Sequence, residues 1–166
     1  MDHGLAPPPR GPLVRLEYVI LWTMRAWVMG IVERIPVEEQ ICDAFRQIGV
    51  PGGTAQIYEF MWLLSQGACR TINIDCVCRP AVSEDERRLL DILALAQRNK
   101  SFEALMLLRT MLAPRMAVAA AESAARLAEM LGAEGVVLPA PALVTERYLL
   151  VSGLAEGRVA EKRQLH

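Results

Sequence analysis

Residues 13–34, LVRLEYVILWTMRAWVMGIVER, constrain the fold more than any other part of the sequence. The stretch is intensely apolar, yet Arg15, Glu17 and Arg25 interrupt it. Its longest charge-free runs, residues 18–24 and 26–32, fall far short of the roughly 20 apolar residues a membrane span requires. An arginine near the centre of a span costs about 2.5–3.5 kcal/mol on insertion scales. No membrane span is therefore expected. Around a helix axis the three charges fall at about 0°, 200° and 280°, so they define no polar face. A helix apolar nearly all round belongs in the centre of a bundle or at a subunit interface.

The following segments also read as helices. Pro36 suits a first helical turn, and Gly49, Pro51, Gly52 and Gly53 end it. Between them Ile41, Ala44, Phe45 and Ile48 recur with helical period, with Cys42 at the border of the stripe. Thr54 is placed to cap a third helix reaching Gly67, with Ile57, Phe60, Met61 and Leu64 inside. Tyr58 and Trp62 form a second strip along it. SEDE, residues 83–86, is a capping box that opens a fourth helix. Leu89, Leu90, Leu93 and Ala96 are its expected core side, and Arg87, Arg88, Asp91 and Arg98 its solvated side. Ser101 is expected to cap a fifth helix carrying Ala104, Leu105, Leu108, Met111 and Leu112 inward. After Pro114 a sixth helix runs to Leu131, with Val118, Ala121, Ala124, Ala125, Ala128 and Leu131 inside and Glu122, Arg126 and Glu129 outside. Short turns between successive helices favour an antiparallel arrangement.

The expected fold is thus all-α: a compact bundle of about six helices with one short β excursion near residues 70–78. Residues 1–12, rich in proline, are expected to form a disordered tail, and residues 13–132 the helical domain. Residues 133–166 read as an extended or irregular arm that packs on the bundle or on a partner. No internal repeat or repeat signature is present. The N-terminal residues lack the pattern of a secretory leader, so the expected location is cytoplasmic.

Three of the four cysteines lie in CRTINIDCVCRP, residues 69–80. Zinc sites more often carry two C-x2–4-C knuckles, whereas here the spacing is C-x6-C-x-C. Zinc is the cofactor these residues allow, with Cys69, Cys76, Cys78 and Cys42 as ligands; no other cofactor is expected. A period of two would put Ile72, Ile74, Cys76 and Cys78 on one buried face, which makes inert packing the first reading of the thiols. A reversible disulfide is the third reading.

Catalysis finds no support in the motifs. His3 and His166 are the only histidines, and both are terminal. No dinucleotide fingerprint, P-loop or Glu-x-x-His pattern occurs. A net charge of −1 supplies no basic footprint for nucleic acid. An apolar fraction of 53% and a mean hydropathy of +0.25 are high for so few aromatics. The leading expectation is a non-enzymatic helical protein that acts by protein–protein interaction or self-association, as a homo-oligomer or with another protein. Its expected interface residues are Tyr18, Trp22, Trp27, Tyr58 and Trp62. Two alternatives stand beside it: a cysteine-based metal-binding or redox-sensing regulator, and a small-ligand pocket lined by Trp22, Trp27, Tyr58 and Trp62.

Overall fold

The computed structural model describes residues 14–141, most of them in six helices. They are α1 (Val14–Glu33), α2 (Glu38–Gln47), α3 (Gly53–Gly67), α4 (Glu84–Gln97), α5 (Ser101–Arg109) and α6 (Pro114–Ala133). The chain is an all-α bundle, as its periodicity implies. The expected tail over residues 1–12, the arm beyond Pro141 and the side chain of Arg15 lie outside the described residues.

Helix ends follow local chemistry. Arg34, Gly49, Asn99 and Gly135 take positive φ (54°, 79°, 56° and 74°) just after α1, α2, α4 and α6, where a left-handed residue turns the chain away. The capping box of α4 is complete: Glu86 N–H donates to Ser83 Oγ (3.1 Å) and Ser83 N–H to Glu86 Oε2 (2.8 Å). Two other expected caps do not form. α3 starts at Gly53, behind Gly52, and the Thr54 hydroxyl is buried without a hydrogen-bond partner. A Cβ at Gly53 would lie 2.2 Å from Phe45 Cδ1, so the tight corner between α2 and α3 decides where α3 starts. Ser101 is the first residue of α5 rather than its cap. Arg98 N–H and Lys100 N–H both donate to Leu95 O, and that backbone closure leaves Lys100 alone at the cap position.

α6 packs on α3, α4 and α5, while α1 packs on α2, α3 and α4. Phe45, Ile57, Phe60, Leu89, Leu93 and Leu131 are among the fully buried side chains between them. Two inward faces differ from expectation. In α6 the buried residues are Ala117, Ala120, Ser123, Ala124, Leu127, Ala128 and Leu131, whereas Val118 and Ala125 are exposed. Alanine reads as apolar on every side, so an alanine-rich helix carries a weak phase signal. In α4, Asp91 is buried rather than solvated, because the helix is covered on nearly all sides from Leu89 to Leu95.

The β excursion reduces to an isolated bridge between Ala68 and Leu112, followed by an extended run with no strand partner. Its alternate amides pair with side chains of α4 instead. Asn73 N–H donates to Asp85 Oδ2 and Asp75 N–H to Glu86 Oε1, both at 2.9 Å. The other end of α4 holds a second extended piece in the same manner. Gln97 Nε2 donates to Val136 O (2.8 Å), Leu138 N–H to Gln97 Oε1 (2.8 Å) and Arg98 Nη2 to Leu138 O (2.9 Å). Val136 and Leu138 are buried there.

Candidate functional site

The structure concentrates unusual features where α1 and α3 end. The middle of α1 is buried from Val19 to Trp27 without a break. Past Trp27 the helix outruns its cover, and Ile31 and Val32 are 63% and 69% exposed. Both belong to the lining of an open apolar groove of about 270 Å³. Trp27 and Val28 of α1, Met61 and Leu64 of α3, and Ile72 and Ile74 of the extended segment line it. Trp62, at 54% exposure, stands one turn before the groove residue Ser65 on α3.

The extended wall of this groove is held by charges from the start of α4. Arg25, the arginine inside the apolar helix, is 3% exposed and faces Glu86, which is 0% exposed. Arg25 Nε donates to Glu86 Oε1 (2.7 Å) and Nη2 to Oε2 (2.8 Å). Its remaining reach goes to the loop backbone, with Nη1 donating to Arg79 O (2.5 Å) and Nη2 to Ala81 O (2.6 Å). Glu86 also receives the amides of Asp75 and Ser83, so both oxygens are occupied twice. Burial opposes the charge on Glu86, but the hydrogen bonds from Arg25, Ser83 and Asp75 outweigh it and lower its pKa. The same contact raises Arg25. Next to this pair, Arg70 grips Asp85 with two bonds of 2.9 and 2.7 Å, and Arg88 adds a third at 2.8 Å. The Arg70 hydrogen bond is the main reason the Asp85 carboxyl falls from 3.8 to about 2. These groups are saturated with partners, and their chemistry is positioning of the loop.

The cysteines lie differently from the packing reading. Alternation persists through Ile72 and Ile74, which pack half-buried against the core, and then a turn at residues 77–78 breaks it. Arg79 N–H donates to Cys76 O (3.1 Å), Val77 packs toward the core, and Cys76 and Cys78 are exposed. The two are joined by a disulfide, with Cα atoms 5.4 Å apart. Cys69 and Cys42 are free thiols, exposed and half-buried respectively. Of the four expected ligands the structure therefore unites only two, and in a covalent bond. Among the described residues no three His, Cys, Asp or Glu side chains are grouped to hold a metal ion.

The five expected interface residues also separate. Trp22 is core, Tyr18 is half-buried, Trp27 floors the groove and Trp62 is exposed beside it. Tyr58 lines another open groove, between α2 and α3, with Pro36 and Cys42. Burial, with a smaller contribution from Glu38, raises its hydroxyl pKa. Trp27 and Tyr58 thus line separate grooves, with Trp22 and Trp62 in the lining of neither. Periodicity singled out Ile72 and Ile74 but not Ile31 or Val32, because it finds apolar faces without telling which find cover. Arg25 carried a usable signal: a lone arginine in an apolar run requires a carboxylate partner. No helix among the described residues is long and apolar enough to cross a membrane. Comparison of the chain with protein-family models, with curated proteins and with solved structures finds no match.

Proposed function

We propose that this chain is a non-enzymatic helical protein that acts by self-association through the apolar patch at the ends of α1 and α3. One observation carries the reading: the same patch presents both a groove and exposed apolar side chains. Trp27, Met61, Leu64, Ile72 and Ile74 line the hollow together with Ile31 and Val32, which are also largely exposed, and Trp62 is exposed one turn before its lining residue Ser65. A two-fold interface requires such self-complementarity, since each copy offers the other the same surface. Tryptophan is enriched at interface centres, and a contiguous exposed apolar patch marks an interaction surface. The saturated ion pairs behind the groove support the reading further, because they leave a rigid wall and no free catalytic group in it. A groove of about 270 Å³, open to solvent, lies below the 300–1,000 Å³ common for small-molecule pockets, which favours a protein occupant.

Sedimentation of the full chain from sub-micromolar to high micromolar concentration tests the reading. The wild type should pass from monomer to dimer. Val32→Glu, at an exposed position, should keep the fold by circular dichroism and weaken association by at least about tenfold, as expected for putting a charge where an apolar side chain was buried. A wild type that stays monomeric across the whole range overturns it.

A further inference from the structure

The C-x-C disulfide is poorly suited to be a staple. Cys76 and Cys78 are two positions apart, so their bond closes almost the shortest loop a disulfide can close. The stabilisation gained from cross-linking falls with loop length, and this loop has little chain entropy to remove. The turn is already held by bonds that do not involve sulfur. Asp75 N–H is fixed on Glu86, Arg79 N–H on Cys76 O, and Arg79 and Ala81 carbonyls on the buried Arg25 guanidinium. Residues on both sides of the pair are thus anchored to a fully buried ion pair, whether the sulfurs are bonded or not. Both cysteines face solvent, where a thiolate can approach either sulfur. Preorganised sulfurs, open access and a small structural contribution are what an exchangeable disulfide requires.

We infer that Cys76 and Cys78 form a thiol–disulfide exchange centre whose reaction partners are low-molecular-mass thiols and their disulfides. The inference is independent of self-association. In the reducing direction the thiolate of one small thiol attacks a cysteine Sγ. The Cys76–Cys78 bond breaks, a mixed disulfide forms, and the other cysteine leaves as thiolate. A second small thiol then attacks the sulfur of the bound small molecule. Two electrons pass from the two thiols to the protein, the two cysteines take up two protons, and the small-molecule disulfide departs. The reverse reaction, with that disulfide as oxidant, restores the bond. Cys42 and Cys69, both free, are bystanders in this scheme.

The full chain, purified without reductant, is equilibrated in glutathione buffers of graded redox ratio, trapped with N-ethylmaleimide, denatured and weighed. Two of the four cysteines should be alkylated at the oxidising end and all four at the reducing end, in one two-electron transition. The Cys42→Ser/Cys69→Ser variant should undergo the same transition. Cys76→Ser should instead hold one glutathione on Cys78. The urea midpoint of Cys76→Ser/Cys78→Ser should match that of the oxidised wild type. Four reactive thiols in every buffer, a bond that yields only in denaturant, peptide mapping that pairs Cys69 or Cys42 with either partner, or a collapsed midpoint in the double variant would each overturn the assignment.

Discussion

Arg25 concentrates the consequences of burial in one side chain. A guanidinium and a carboxylate removed from water recover the cost of desolvation only if nearly every donor and acceptor is met, and here Arg25 and Glu86 meet four bonds each. Removing one partner is a different matter from replacing both. Arg25→Met leaves a buried carboxylate unpaired and frees the carbonyls of Arg79 and Ala81, so it should destabilise the fold by about 3–5 kcal/mol in urea denaturation. An effect within the scatter of surface substitutions would refute this account of the pair. Asp85 gives the acid limb of stability. Its folded carboxyl sits at about 2 against an ordinary 3.8, so the unfolded chain binds the proton more tightly. Its contribution is complete above pH 3.8 and disappears as the pH falls toward 2. That window carries at most about 2 kcal/mol, reduced by the partial exposure of Arg70. Asp85→Asn should flatten the dependence of unfolding free energy on pH across the window, and an unchanged slope would contradict the assignment.

At the scale of elements, α4 organises the molecule. Its first turn takes the backbone of the extended segment, its last turn takes that of residues 136–138, and its middle is buried. The capping box was legible because it depends on residues three apart in sequence. That Ser83 Oγ also donates to Asn73 O at 2.6 Å was not, since the two residues lie ten positions apart across a loop. Ser83→Ala should therefore cost more than the roughly 1 kcal/mol of an ordinary cap. Hydrogen exchange offers the check: the amides of Asn73 and Asp75 should lose protection along with that of Glu86. Protection lost at Glu86 alone would mean the loop is held without Ser83. The weak phase of α6 shows the other limit. Periodicity located the helix, but alanines on every side left its inward face to be chosen by the bulk of α3, α4 and α5 around it.

For the whole molecule the decisive quantity is uncovered apolar surface. The sequence pointed to an excess of it, and α1 to an all-apolar helix, but neither says where cover runs out. It runs out after Trp27, where residues 28–30 are half-buried and Ile31 and Val32 are exposed. If two copies close over that end, stability is linked to protein concentration by mass action. The melting temperature of the wild type should then rise with concentration, while that of Val32→Glu stays constant. Parallel behaviour of the two proteins would argue against this surface.

The sequence by itself determined the helices, most of their boundaries and the capping box, because these arise from periodicity and contacts within one turn. It also placed a charge where an apolar helix could not leave it unanswered. Tertiary structure alone decided that Glu86, 61 positions away, answers Arg25. It decided equally that the cysteines turn outward at Val77, and that Ile31 and Val32 lack cover. Each of these depends on which distant group occupies the neighbouring space. Local pattern carries no record of that, because burial and desolvation are properties of the assembled chain.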